Sequence, residues 1–127
     1  MQWFDKAKRR EVWEEPIEDS IGDIGAAQRI REICRAAADS AAKMGAAADR
    51  NHKKVKGDAE RYERAAKTAM EIAMKISDEL LRDAAVREIV ELCLKAGNVA
   101  TAQTLLRAIQ AKSIRDEVLR AHPQLQQ

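Results

Sequence analysis

Two runs of small and apolar residues, spaced alternately three and four positions apart, constrain this chain most. This spacing places the members of each run on one face of an α-helix. The runs are Ala27, Ile30, Cys34, Ala37, Ala41, Met44 and Ala48, and Ala59, Tyr62, Ala66, Ala69, Ala73, Ile76 and Leu80. We therefore predict two helices that pack face to face as an antiparallel hairpin over residues 20–80, with alanine allowing their axes to approach closely.

The helix ends of this hairpin are predicted from capping and loop residues. Ser20 and Asp23 form an S-x-x-D pattern that predicts a cap at the start of the first helix. Residues 51–58 are polar and end in a glycine and Asp58, which predicts a loop with Asp58 as the N-cap of the second helix. Gly45 costs the first helix about 1 kcal/mol relative to alanine, and contact with a neighbouring backbone would offset that cost.

A second helical hairpin follows. Asp78 is a favoured N-cap for a helix over residues 78–96. Gly97 suits the left-handed conformation after a helix end, and Asn98 suits the N-cap of the next helix, over residues 98–111. The predicted buried positions are Leu81, Ala85, Val86, Ile89, Val90 and Cys93 in the first helix and Val99, Ala102, Leu106 and Ile109 in the second.

This second hairpin resembles a tetratricopeptide repeat over about residues 83–111. Gly97 matches the mid-repeat glycine of that family, and the buried positions on either side of it match the family's packing positions in register. The sequence Leu81-Arg82-Asp83 also returns 33 residues later as Ile114-Arg115-Asp116. The resemblance implies a short α-α superhelix that binds other proteins.

The two ends of the chain differ in composition and in predicted structure. Residues 1–19 contain three of the four aromatic side chains, and we predict a helix over residues 2–14 there. Trp3, Phe4 and Trp13 either cover one end of the bundle or anchor a protein partner, and both interpretations stay open. At the other end, Ser113 begins an S-x-x-D pattern that predicts a capping helix over residues 113–121, before a frayed tail at 122–127.

The charges favour solvated helix faces. The chain has 23 Lys and Arg against 21 Asp and Glu, a net charge of +2, and the two signs alternate along the predicted helices. Nucleic acid is therefore not implied by charge. The cluster Lys53, Lys54 and Lys56 lacks the interleaved aromatic side chains that contact bases, and we interpret it as a solvated loop.

A competing hypothesis is DNA binding. Residues 87–109 resemble a helix-turn-helix, with Thr104 and Arg107 on the recognition helix and the three lysines of the 51–58 loop as additional contacts. The spacing departs from that motif, because about two extra residues separate Gly97 from Thr104. Basic residues are also few in this segment.

Several function classes find no support in the sequence. The two histidines, His52 and His122, have no ligand at metal-binding spacing, and neither a glycine-rich phosphate loop nor an E-x-x-H pair is present. We expect no enzyme activity, no metal, no cofactor and no small-molecule substrate. No window approaches 18 apolar residues, so we expect no membrane insertion and a cytoplasmic protein, with Cys34 and Cys93 as buried free thiols.

We therefore predict one all-α domain over residues 1–127, an antiparallel helical bundle or short α-α superhelix of five to six helices. The helices span 2–14, 21–50, 58–76, 78–96, 98–111 and 113–121. The predicted function is protein–protein interaction or scaffolding by a helical-repeat module, with self-association as a related version. DNA binding through residues 87–109 is the alternative.

Overall fold

A computed structural model of the chain describes residues 11–15, 22–46 and 52–126, with the side chains of 52–55 outside the description. The described residues form five α-helices: α1 Gly22–Ala46, α2 His52–Ala73, α3 Glu79–Lys95, α4 Val99–Ala108 and α5 Lys112–Ala121. Single 3-10 turns lie at Val12–Glu14 and Pro123–Leu125, and Leu125, which was predicted to lie in a frayed tail, is 3% exposed and packs in the core. The described residues contain no strand, and the helices pack on one another as a bundle, so the predicted all-α class is confirmed. None of these helices is both long and apolar enough to cross a bilayer.

Helices α1, α3 and α5 are parallel to one another and together form one row of the bundle. Asp23, at the start of α1, bonds to the backbone of Ser77 just before α3. Gly45, near the end of α1, lies against Lys95, the last residue of α3. The two helices are therefore parallel along their full length. Asp83 in α3 contacts the turn before α5 in the same way, so α5 extends the row.

Helices α2 and α4 return in the opposite direction. Arg61 of α2 donates a hydrogen bond from Nε to Ser40 Oγ of α1 at 3.0 Å, which pairs the second half of α1 with the first half of α2. Asn98, at the start of α4, donates from Nδ2 to Tyr62 Oη near the same end of α2, at 3.1 Å. The return helices therefore complete two antiparallel hairpins, α1–α2 and α3–α4.

The two small-residue runs meet as predicted, with a slight rotation of each helix. Residues 0–3% exposed include Ile30, Ile33, Ala37 and Ala41 of α1 and Tyr62, Ala65, Ala69 and Ala73 of α2. Ile33 and Ala65 lie outside the predicted runs, whereas Ala27 and Ala66 within them are half-buried. Leu80, predicted to end the second run, is 64% exposed, because the helix has already ended at Ala73.

Gly45 lies at the closest approach of α1 and α3. A Cβ atom at this position would overlap the carbonyl oxygen of Lys95 and press on the backbone of Ala96. Neither obstacle is the flexible end of a side chain, so the helices would have to move apart. The expected contact of Gly45 with a neighbouring backbone is therefore present, and it offsets the low helix propensity of glycine.

We predict that Gly45→Ala lowers the free energy of unfolding by about 2 kcal/mol, since the added methyl group has to separate two packed backbones. Gly57→Ala is the matched control, because a Cβ on Gly57 in α2 would meet no atom within 4 Å. That substitution should raise stability by up to about 1 kcal/mol through helix propensity alone. Urea unfolding followed by circular dichroism measures both, and stabilisation by both variants would contradict the close approach.

The start of α2 differs from the prediction. The helix begins at His52, six residues before the predicted start at residue 58, and continues through Gly57. Asp58 is therefore inside the helix, and its predicted role as N-cap is wrong. Residues 53–56 include three lysines, which are good helix formers, and their propensity carries the backbone past a glycine that costs about 1 kcal/mol.

Two other helix ends fall earlier than predicted. Helix α2 ends at Ala73 and α4 ends at Ala108, each three residues before the predicted end. In both places an isoleucine beyond the helix end is buried, Ile76 at 2% exposed and Ile109 at 0%. These isoleucines continue the helical spacing of apolar residues because they are buried in the turn that follows each helix. Their spacing does not mean that the helix itself continues.

The predicted signals around α3 and α4 are confirmed. Asp78 accepts a hydrogen bond from the N–H of Leu81, as an N-cap does. Gly97 has a φ of +78°, in the left-handed region that L-residues with a Cβ avoid. Asn98 caps α4 by accepting from the N–H of Thr101.

Asp23 lies in the first turn of α1, but its carboxylate binds the backbone just before α3. Its Oδ1 accepts a hydrogen bond from the N–H of Ser77 at 3.0 Å, and its Oδ2 accepts from the N–H of Asp78 at 2.8 Å. Ser20, its predicted capping-box partner, lies outside the described residues. The predicted capping box therefore stays untested, and the contact that Asp23 makes joins it to residues 54 and 55 positions later, which the local pattern does not indicate.

Asp83 makes the same kind of contact one hairpin later. It is 1% exposed, and its Oδ2 accepts hydrogen bonds from the N–H groups of Gln110 at 3.1 Å and Ala111 at 2.8 Å. Its other oxygen is buried without a hydrogen-bond partner among the described residues. The predicted cap at Ser113 is wrong, because α5 begins at Lys112 and its N-cap residue makes no side-chain capping bond. Asp83 instead binds the N–H groups of the N-cap residue Ala111 and of Gln110 just before it.

We predict that Asp83→Ala lowers the free energy of unfolding by about 2 kcal/mol, because two backbone N–H groups lose a charged acceptor. Asp116 offers a matched control, since it is the fifth residue of α5 as Asp83 is the fifth of α3. At the surface, its carboxylate accepts a hydrogen bond from Lys112 Nζ, so Asp116→Ala should cost less than about 0.5 kcal/mol. Chemical denaturation distinguishes the two; equal losses would contradict the role given to Asp83.

Candidate functional site

Of the three predicted aromatic contact residues, the structure describes only Trp13. Trp3 and Phe4 lie outside the described residues, as does most of the predicted helix over 2–14. Residues 12–14 form a 3-10 turn and not an α-helix. Trp13 is 5% exposed and packs in the core, so a partner could reach its ring only if this turn left the bundle.

Two arginines hold the Trp13 turn on the bundle. Arg29 of α1 donates from Nη2 to the carbonyl oxygens of Val12 at 2.7 Å and Glu15 at 2.6 Å. The guanidinium of Arg61 lies 5.1 Å from the centre of the Trp13 ring, a cation–π contact. Arg61 also joins the Glu11 carboxylate and the Ser40 hydroxyl. The described part of the aromatic segment is thus firmly attached to α1 and α2.

The residues of the DNA-binding hypothesis are divided between two helices. Lys53, Lys54 and Lys56 lie in the first turns of α2, and of these the structure describes the side chain of Lys56, which is exposed. The predicted solvated loop is therefore helical. Thr104 and Arg107 are exposed on α4, and the Thr104 hydroxyl donates to the carbonyl of Ala100 in its own helix at 3.1 Å.

A cleft of about 100 Å³ lies between α1 and α3. Cys34, Ala38 and Leu92 contribute apolar surface to its lining, and Glu88 and Glu91 contribute charge. Small-molecule sites usually exceed about 300 Å³, so this cleft accommodates a few water molecules or one small side chain. A second, open depression beside Trp13 is lined by side chains of both charge signs. No group of three His, Cys, Asp or Glu side chains among the described residues is placed to hold a metal ion.

The two cysteines are buried free thiols, as predicted. Burial, with a smaller effect of Glu88, raises the pKa of Cys34 from 9.0 to about 12. Burial also raises the pKa of Cys93, against the opposing effect of a hydrogen bond with Tyr62. Burial likewise raises the pKa of the Tyr62 hydroxyl. Since the thiolate is the reactive form, these cysteines are poor nucleophiles in the folded protein.

The raised thiol pKa values predict a loss of stability at high pH. Above pH 9 the unfolded chain releases thiol protons that the folded chain keeps, so the free energy of unfolding falls as the pH rises toward 12. One thiol contributes at most about 1.4 kcal/mol per pH unit. We expect the stability difference between the wild type and Cys34→Ala to narrow from about pH 8 to about pH 10.5 in urea unfolding. A constant difference would contradict the shift.

The clearest unpartnered surface lies where α1, α2 and α3 meet. Ile24, Met74 and Leu80 are 67%, 68% and 64% exposed, the exposed large apolar side chains among the described residues. Ile24 follows the capping residue Asp23, and the other two flank the turn that Asp23 holds. The three side chains therefore surround one junction, which we call the junction surface.

The junction surface was not predicted from the sequence. Leu80 was expected on a buried helix face, and Met74 and Ile24 were assigned no role. The available signal was that Met74 and Ile24 fall off the helical stripes that bury their neighbours. Comparisons with protein families, with curated proteins and with solved structures find no match to this chain.

Proposed function

We propose that this protein is a protein–protein interaction module built from stacked helical hairpins. The junction surface is the observation that carries the proposal. Three large apolar side chains, each about two-thirds exposed, lie at one junction of a bundle whose other large aliphatic residues, among those that the structure describes, are buried or partly buried. Exposed apolar surface is unfavourable in water, and a protein partner that covers it recovers that free energy.

The arrangement of the helices supports the repeat part of this proposal. Asp23 and Asp83 each bind two successive N–H groups in the turn that follows their hairpin. Two consecutive hairpins therefore use the same contact, as expected of a stack of repeats. The α3–α4 hairpin, with Gly97 and Asn98 at its turn, is the part that resembles tetratricopeptide repeats, and stacked repeats of this kind present extended surfaces to proteins.

The other proposed properties follow from the side chains. Reduced cysteines persist in the cytoplasm, and Cys34 and Cys93 are free thiols, so we place the module there. DNA binding through residues 87–109 remains the alternative. Glu88 and Glu91 are partly exposed within that segment and would repel phosphate groups, which favours the protein-binding proposal.

The test compares proteins that copurify with three tagged versions of the chain in its own cells. Leu80→Asp places a charge in the junction surface and should remove specific partners. Ala84→Asp is the matched control, because Ala84 is exposed on the next turn of α3 and receives the same charge. Both variants should keep the wild-type melting temperature, since neither position is buried.

Loss of the same partner from Leu80→Asp, with retention by Ala84→Asp, supports the proposal. An identical set of copurifying proteins in all three preparations contradicts it. Copurification that is abolished by nuclease in every version would favour the DNA-binding alternative, which a salt-sensitive shift on random duplex would then confirm.

A further inference from the structure

We propose that the groove that holds Trp13 between α1 and α2 is a docking site for a tryptophan flanked by carboxylates, and that residues 11–15 are its intramolecular occupant. We call it the tryptophan groove. The turn that carries Trp13 packs on both helices, and the ring is 5% exposed. This site adds a second interaction surface to the proposed function and does not depend on the junction surface.

Arg29 holds the turn through groups that any peptide ligand offers. It donates from Nη2 to the carbonyl oxygens of Val12 and Glu15, at 2.7 and 2.6 Å. Hydrogen bonds to the main chain supply affinity in many peptide-binding proteins, while pockets for side chains supply specificity. Arg29 therefore recognises the backbone path of the occupant, and a segment from another protein can present the same two carbonyl groups.

The charges of the groove select an acidic occupant. Arg61 joins the Glu11 carboxylate and lies 5.1 Å from the centre of the Trp13 ring. Arg29 Nη1 lies 3.5 Å from the Glu15 carboxylate. Two arginines thus face two carboxylates that lie two positions on either side of the tryptophan, and arginine binds both carboxylates and aromatic faces well. A partner segment with the order E-x-W-x-E fits this site by charge and by shape.

The chain's own segment leaves two donors at this contact without an acceptor. Trp13 Nε1 and Arg29 Nε are buried, and neither has a hydrogen-bond partner in the described part of the chain. A buried donor without an acceptor is unfavourable. Because Arg29 belongs to the groove, a partner segment that brings an acceptor to its Nε gains a hydrogen bond that residues 11–15 do not make.

The tether gives residues 11–15 a compensating advantage. Only residues 16–21 separate them from the start of α1 at Gly22, so they compete at an effective concentration on the order of 1 mM. A partner has to displace this tethered segment before it binds. The contact is therefore autoinhibitory, and it keeps the tryptophan groove filled when no partner is present.

A fluorescein-labelled peptide of residues 9–17, Arg-Arg-Glu-Val-Trp-Glu-Glu-Pro-Ile, tests the docking site with the full chain. In Trp13→Ala the groove has lost its ring, and fluorescence anisotropy should show binding with a Kd of about 10 μM to about 100 μM. The wild type should bind at least about tenfold more weakly, because its own segment competes. A peptide with alanine in place of the tryptophan should bind neither protein.

Two arginines of α1 separate specific recognition from general charge attraction, each tested in the Trp13→Ala background. Arg29→Ala removes the bonds to the peptide backbone and should weaken peptide binding by about tenfold. Arg31→Ala is the matched control, because Arg31 is 53% exposed and faces Glu88 of α3. It should change the Kd by less than about twofold. Equal losses in the two variants would overturn the proposed geometry.

A second measurement does not depend on the folding of Trp13→Ala. In Trp3→Phe, Trp13 is the one remaining tryptophan, so its emission reports the turn while circular dichroism reports the helices. The emission should shift to the red at a lower urea concentration than the loss of helix. The reason is that a small unit at the end of a chain can open while the bundle is still folded.

Coincident urea transitions in Trp3→Phe would overturn the proposal, because the turn would then leave only when the whole chain unfolds. A folded Trp13→Ala that binds no peptide at about 1 mM, or that binds it no better than the wild type, would overturn it as well. If Trp13→Ala does not fold, the urea transitions alone decide. The function of the junction surface is decided separately by Leu80→Asp, which leaves the tryptophan groove unchanged.

Discussion

A carboxylate that accepts hydrogen bonds from two successive backbone N–H groups determines how the hairpins of this protein stack. At the start of a helix several N–H groups have no partner within that helix, and they must be satisfied by side chains or water. Asp23 binds the N–H of Asp78, the N-cap residue of α3, and that of Ser77 just before it, and Asp83 does the same for Ala111, the N-cap residue of α5, and for Gln110. Each aspartate thereby positions the start of the next helix in the row, so the stacking direction is set by hydrogen bonds that have a defined geometry. Apolar contacts alone would not specify this direction, because they are not directional.

Small residues determine how close the rows come to one another. With few aromatic side chains, the protein fills its interior by bringing backbones together, as the buried alanines of α1 and α2 and the contact between Gly45 and Lys95 show. Two rings occupy the places where small residues leave space: Trp13 beside Arg61, and Tyr62 between α2 and the start of α4. Packing of this kind tolerates little change in volume, since the main chain offers no alternative rotamer.

The local features of the fold could be read from the sequence, and its long-range contacts could not. The all-α class, the paired runs, and the roles of Asp78, Gly97 and Asn98 all depend on residues within a few positions of one another, where propensity and capping act. Asp83 shows the limit, because an aspartate in the first turns of a helix usually faces solvent, and nothing near it indicates that its target lies 27 and 28 residues ahead. The predicted start of α2 was wrong for a related reason. Gly57 and Asp58 form a local boundary signal, but the helix propensity of the preceding lysines outweighs it. The junction surface could not be predicted, because it required knowledge of which side chains are exposed.

The position of the two thiols makes the row of parallel helices observable in solution. Cys34 belongs to α1 and Cys93 to α3, and both are buried within the bundle. Cys93 is fully buried and Cys34 is 7% exposed in the narrow cleft between α1 and α3, so a bulky thiol reagent reaches either one mainly when the helices around it separate. When such openings are rare and reclosing is fast, the rate of labelling reports the fraction of molecules that are open at equilibrium. Comparison of the two labelling rates shows whether α1 and α3 leave the bundle together or one at a time. The labelling rates of Cys34 and Cys93 thus report how often the helices around each thiol separate.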